Sequence, residues 1–335
     1  MRAIQFDRYG APSVLVCRET ERPACGPRDV LVRVRAAGTN PKDCLVRKGK
    51  FRWFTGRRFP LGLGHDFSGT VAAVGRQEDA FQVGDAVFGM TNGWKGCTYA
   101  EYLSVRSSET ALKPSPLGFT AAAAVPLAAQ TALQALRDLG RLSDNQRVLI
   151  NGSSGGVGTF AVQIARILGA HVIAVCSGRN ADMVHGLGAH RVLDYTHEDF
   201  RHLPEPVDVF FDVFGNCRFP DIRPLLKPNG RFISTVPGVP ILRWSILSRL
   251  SSGPRAHLVI VKSKTGDLQT LGRWIEEERL AELDLFRRDR IVAHGRNGRR
   301  QRFEDAGCHV AHFFVGARRA GQAHCRHGCG EYCFH

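Results

Sequence analysis

The chain lacks a disulfide framework. Six of its ten cysteines are scattered singly through the first 217 residues, and the other four fall in the last fifty-five. Unpaired thiols fit a reducing compartment, so the cytoplasm is the expected location. There is no apolar signal core either: the opening MRAIQFDRYG alternates like a strand. A membrane span is also missing. Phe119 to Leu136 carries no charge, but it holds Pro126, Gln130 and eight alanines and is marginal in length for a bilayer. It reads as a buried Ala-rich helix. No Lys/Arg stripe with interleaved aromatics occurs, which makes nucleic acid an unlikely partner.

What is present is an ordinary globular composition in 335 residues, enough for two domains with real cores. The net charge of +15 leaves room for an anionic partner such as a phosphate-bearing cofactor. Residues 1–118 read as short strands broken by Gly and Pro, among them DVLVRVRAAG (Asp29–Gly38), GTVAAVG (Gly69–Gly75) and GDAVFG (Gly84–Gly89). This predicts a compact, mostly β domain. Over 119–265 the rhythm becomes strand, helix, strand. Predicted strands are 147–151, 171–175, 191–195, 207–213, 230–236 and 257–263, apolar on both faces, with helices between most of them. The fold class is therefore α/β, with a doubly wound parallel sheet in the second domain. Residues 266–335 form a C-terminal segment.

The first helix of the second domain follows Gly152-Ser153-Ser154-Gly155-Gly156-Val157-Gly158. Val157, Ala161, Ile164, Ala165 and Leu168 fall on one face at helical spacing. Glycines at such a junction permit tight turns and close approach to a pyrophosphate, and the helix tip offers free N–H groups to that anion. The competing reading is a tight turn with no ligand. Strand, turn, helix and second strand in order favour a dinucleotide site. Sheets that bind NAD place Asp or Glu about 20 residues on, against the ribose 2′-hydroxyl. Here the second strand ends at Cys176-Ser177-Gly178-Arg179, without an acid. A hydroxyl and a guanidinium suit a 2′-phosphate, which predicts NADPH over NADH.

Several motifs in register resemble the zinc-independent medium-chain dehydrogenase/reductase superfamily, and within it the quinone oxidoreductase group. They are GTNPKDCLVRKG (Gly38–Gly49), GHDFSGTVAAVG (Gly64–Gly75), FQVGDAVFG (Phe81–Gly89), YAEY (Tyr99–Tyr102), AAAVPLAAQTAL (Ala122–Leu133) and GSSGGVG, over roughly residues 1–280. The resemblance implies a GroES-like, mostly β catalytic domain beside the Rossmann domain, a nicotinamide cofactor, a small-molecule substrate and, in many members, a homodimer. Zinc relatives hold their catalytic metal with Cys, His and Cys; those positions are Asn40, His65 and Leu127 here, so no metal is expected. The resemblance further implies Asn40 and Thr131 beside the nicotinamide and its ribose. Ser154, Gly155, Gly156 and Val157 fall at the pyrophosphate, and Ser177, Arg179 and Tyr195 around the 2′-phosphate. Asp43 reads as the residue that orders its own turn, and Tyr99 and Tyr102 as core or rim aromatics. Leu45 replaces a tyrosine of known quinone reductases and leaves no evident general acid.

From Ala281 the texture breaks. Residues 281–335 hold ten Arg, no Lys or Pro, six of the thirteen His and a C-x₃-C-x₃-C run. A zinc site and a nucleic-acid tail are weighed against a shifted reading frame, which is preferred. The tail contributes +4 of the net charge, leaving +11 for residues 1–280. The expected function is hydride transfer from NADPH to a quinone, enone or other activated carbonyl without zinc. A metal-free alcohol dehydrogenase and a nucleotide-binding, RNA-associated protein with little turnover are the alternatives.

Overall fold

A computed structural model describes residues 1–94, 96–250 and 252–281. The expectations for the segment from residue 282 onward, including the shifted frame and the His/Cys cluster, lie outside the described residues. The chain divides into two compact units. One comprises Met1–Leu127 with Ser263–Glu276; the other runs from Ala128 to Lys262 and includes 277–281.

In the first unit, β1 (Arg2–Phe6) lies between β2 (Val16–Glu19) and β4 (Leu61–Gly62). A second, antiparallel sheet orders β7 (Tyr102–Arg106), β3 (Asp29–Gly38), β5 (Asp66–Val74), β6 (Ala86–Met90) and β8 (Thr110–Leu112). Alternation along β3 and β5 buries Val30, Val32, Val34, Phe67 and Val71 in one core with Phe6 and Leu103. Short helices α1 (Pro41–Arg47) and α2 (Arg52–Thr55) follow β3. Helix α3 (Phe119–Ala124) packs on β3 and β5, and the Ser68 hydroxyl bonds the Phe119 carbonyl at 2.5 Å. The unit therefore extends past residue 118 to Leu127. The next helix, α4 (Pro126–Leu133), leads into the second unit. Its alanines Ala129 and Ala132 are fully buried, as are Ala122 and Ala123 of α3. Among the described residues no helix is long and apolar enough to cross a membrane.

The second unit contains β9 (Arg147–Asn151), α5 (Gly156–Ile167), β10 (His171–Cys176), α6 (Ala181–Gly186), β11 (Arg191–Asp194), β12 (Val207–Asp212), α7 (Phe219–Ile222), β13 (Leu226–Ser234), α8 (Val239–Leu247) and β14 (Arg255–Leu258). All six strands are parallel, in the order β11-β10-β9-β12-β13-β14. Strand order reverses between β9 and β12, which is where doubly wound sheets take ligands at their carboxyl ends. Leu149, Ile173, Phe210 and Phe232 fill the core.

Two expectations change. The last strand was expected over 257–263 but ends at Leu258. Beyond it, the Lys262 N–H is bonded to the Gln134 side chain and the Ser263 N–H to the Asn92 side chain, so neither can join a ladder. Helix α5 is buried from Gly158 through Ala165 instead of along one stripe, because residues 134–139, which also touch β12 and β13, pack against it in addition to β9 and β10. Finally, α9 (Thr265–Glu276) returns to the first unit and packs on β8.

Candidate functional site

In the second unit, the glycine turn hangs from β10. The N–H groups of Gly152 and Ser153 and the Ser153 hydroxyl all bond the Val175 carbonyl, at 3.2, 3.1 and 2.9 Å. Gly152 has φ +88°, a conformation that only glycine adopts without strain. A Cβ on Gly158 would lie 2.1 Å from the Gly152 carbonyl oxygen, so this glycine exists to seat the helix against the turn. Gly156 is different: a Cβ there would meet nothing within 4 Å, and the residue is exposed. The N-cap Gly155 has extended backbone and no side-chain cap, which leaves the α5 N–H groups at this tip facing open space.

Ser154 and Ser177 are brought together by a residue that the sequence did not single out. The Asn180 amide nitrogen reaches both hydroxyl oxygens, at 3.1 and 3.2 Å. The Tyr195 N–H bonds the carbonyl of Cys176, the residue before Ser177, at 3.2 Å, and Tyr195 is 61% exposed. Arg179 is exposed and makes no ion pair among the described residues.

The acid missing from the end of β10 arrives from the next strand. Cys176 stands opposite Asp194 of β11, and the Asp194 carboxylate comes so near Gly178 that a Cβ there would lie 2.3 Å from it. Only the pairing of two strands shows this. The Thr196 N–H and hydroxyl both bond Asp194, at 3.0 and 2.8 Å. Those bonds, the Thr196 N–H foremost, hold its carboxyl below the usual range. Asp194 therefore anchors its own turn.

In the first unit, the sequence-predicted Asn40 sits within a buried polar cluster. Asn40 caps α1. Its N–H bonds the Asp43 carboxylate at 2.9 Å, and its amide nitrogen bonds Asp66 at 2.9 Å. Asp43 does order this turn, as expected, and also accepts from Tyr99 at 3.1 Å and lies 2.7 Å from His65 Nδ1. The other Asp66 oxygen accepts the Leu127 N–H at 3.0 Å. The positions of the three zinc ligands in relatives are thus brought together as an amide committed to Asp66, an imidazole, and a leucine with no donor side chain. His65 Nε2 is buried and bonds nothing among the described residues. Thr131 lies on α4, in the second unit, 6% exposed.

Asp66 went unnoticed in the sequence, though an acid directly after His65 was a signal. Burial, above all, lifts its carboxyl to about 8, and neighbouring Asp43 adds to the effect, while Asn40, Leu127 and Lys42 oppose it. An unfolded aspartate titrates near ~4. The folded chain therefore keeps a proton that the unfolded chain releases between those values. The stability tied to this group is complete below pH ~4 and is lost as pH rises toward 8, by at most about 1.4 kcal/mol per pH unit. Urea unfolding from pH 5 to 8 should show this decline in the wild type and a flatter curve for Asp66→Asn. Parallel curves would contradict the assignment.

Comparison with known proteins agrees with this architecture. Residues 26–132 match the alcohol dehydrogenase GroES-like domain family, and residues 156–237 match the zinc-binding dehydrogenase family. The chain is 31% identical to the chloroplastic quinone-oxidoreductase QR1 of Triphysaria versicolor over 277 residues, covering 79% of this chain and 84% of that protein. It is 39% identical over 216 residues to the mitochondrial NAD(P)H oxidoreductase RTN4IP1 of Mus musculus, covering 58% of this chain and 54% of that protein. A solved quinone oxidoreductase from Coxiella burnetii superposes with a TM-score of 0.76 at 32% identity, covering 85% of this chain and 90% of that one.

Proposed function

The chain belongs to the medium-chain dehydrogenase/reductase superfamily, in its quinone oxidoreductase-like group, and we propose that it is an NADPH-dependent, zinc-free oxidoreductase acting on a quinone, an enone or another activated carbonyl compound. The observation that carries the reading is the open helix tip at Gly155–Gly156 next to the Ser154–Asn180–Ser177 clamp and the unpaired Arg179. Free N–H groups at that tip hold a pyrophosphate. Arg179, with Ser177 and Tyr195, takes the 2′-phosphate. The ionised Asp194 opposes that phosphate, but its Oδ1 already accepts two donors from Thr196, and the guanidinium offsets the remaining repulsion.

When bound, the nicotinamide supplies the hydride; the protein supplies position and polar surroundings. Asn40 and Thr131 bond the nicotinamide ribose or the substrate oxygen. The Asn40 amide nitrogen is held on Asp66 at 2.9 Å. Zinc does not fit the set Asn40, His65 and Leu127, because Leu127 offers no ligand and one imidazole cannot complete a tetrahedral N/S site. The six cysteines of the described residues are free thiols, in keeping with a reducing cytoplasm, and a homodimer is the expected assembly.

Steady-state oxidation of NADPH and NADH against a quinone, an enone and an aldehyde tests the reading. Arg179→Ala should raise the KM for NADPH about tenfold or more, since a charged hydrogen bond contributes roughly 1.5–3 kcal/mol, and should leave NADH kinetics unchanged. Equal use of both coenzymes by the wild type would reject the 2′-phosphate site.

A further inference from the structure

Three arginines converge at the opposite end of the same parallel sheet. The register runs Val148, Val209, Arg231, Arg255 across β9, β12, β13 and β14, so Arg231 and Arg255 are side by side, level with the second residue of β9 and the first of β14. The glycine turn follows the other end of β9, beyond Asn151. Neighbouring strands lie about 4.8 Å apart, and paired residues point to the same face, so two guanidinium groups rise together. Arg141 joins them, held in the left-handed region at φ +46°. With Asn229, Ser252 and Gly253 these residues line a cavity of about 400 Å³.

No carboxylate neutralises this group among the described residues. The acids at this sheet end are engaged elsewhere: Asp208 pairs with Lys227 at 2.8 Å and Glu205 pairs with Arg147. Among the described residues, the Arg231 guanidinium bonds the Leu139 carbonyl, at 2.8 Å, and no carboxylate. His257, on the same face as Arg255 two residues along β14, is pushed down to about 4 by burial and by Arg231, Arg249, Arg255 and Arg141. Like charges gathered in a recess raise one another's energy, and a bound anion relieves that.

We propose that the cavity lined by Arg141, Arg231 and Arg255 is a second anion site, separate from the dinucleotide turn, which binds a small ligand through a diphosphate group. Guanidinium forks match phosphoryl oxygens two at a time, and three cations match the charge of a diphosphate. Asn229 and Ser252, which line the same cavity, carry neutral amide and hydroxyl donors. The diphosphate comes either free or on a nucleoside.

The test is calorimetric titration of the full chain with inorganic pyrophosphate and, separately, with ADP, in the presence of one equivalent of NADP⁺ per chain, which fills the tighter dinucleotide turn and leaves the second site open. Arg141→Gly suits its left-handed backbone, and Arg255 is exposed without a described partner, so the double variant Arg141→Gly/Arg255→Ala should fold. One pyrophosphate is expected to bind per chain, with affinity reduced about 100-fold or more in the double variant, two charged contacts being lost. Arg179→Ala should leave this binding unchanged. Equal affinity for ADP assigns the site to the diphosphate alone; tighter ADP binding assigns it to a nucleotide. Absence of heat, or the same affinity in wild type and double variant, overturns the proposal.

Discussion

Asp43→Ala is expected to destabilise the first unit by about 3–5 kcal/mol, because three donors, two of them buried, lose one shared acceptor. His65, Asn40 N–H and Tyr99 hydroxyl all converge on this carboxylate, which is itself 1% exposed. Each unsatisfied buried donor costs about 1–3 kcal/mol, and partial entry of water keeps the total below their sum. Tyr99→Phe removes a single donor and leaves Asp43 its other partners; about 1 kcal/mol is expected there. Urea unfolding of both variants at fixed pH makes the comparison. If Asp43→Ala cost no more than Tyr99→Phe, the carboxylate would not be the hub of this cluster.

Gly158→Ala and Gly156→Ala should part company, although the sequence presents both as glycines of one turn. At Gly158 the added methyl would sit 2.1 Å from the Gly152 carbonyl and 2.7 Å from the Ser153 Cα, all rigid backbone. Helix and turn must separate, and the expected outcome is a loss of about 3 kcal/mol or more, in the range of severe overpacking, together with loss of dinucleotide binding. At Gly156 the methyl meets only open space. That variant should melt at or above the wild type, since Ala is favoured over Gly in a helix by up to about 1 kcal/mol. Its affinity for NADPH should nevertheless fall, about tenfold or more, if a pyrophosphate approaches that backbone at hydrogen-bond distance. Thermal melts and fluorescence titration with NADPH read the two effects separately. Unchanged NADPH affinity in Gly156→Ala would remove the pyrophosphate from this tip.

The two glycines mark how far the sequence could be read. The strand ends were legible where hydrophobic runs stop at polar residues: β9 covers the expected 147–151 and β12 stops at Asp212, one residue short of expectation. The run 257–263 was misleading because apolar composition cannot show where neighbouring side chains capture the backbone N–H groups. Tyr195 was named through the resemblance, and the structure shows its N–H on the Cys176 carbonyl. Asn180 was not, because a bridge between Ser154 and Ser177 joins residues distant in sequence and has no local pattern.

By itself the sequence determined the element order, the doubly wound class, the glycine turn and the family, because periodicity, glycine placement and motif spacing are local and survive without coordinates. Only the tertiary structure decided which polar groups lose water and which charges meet. It set Asp194 beside Gly178, buried Asp66 against Asn40 so that its proton is retained, and gathered Arg141, Arg231 and Arg255 at one sheet end. The reason is that desolvation and Coulomb energy depend on distance in space and on exclusion of solvent, and neither is a property of position along the chain.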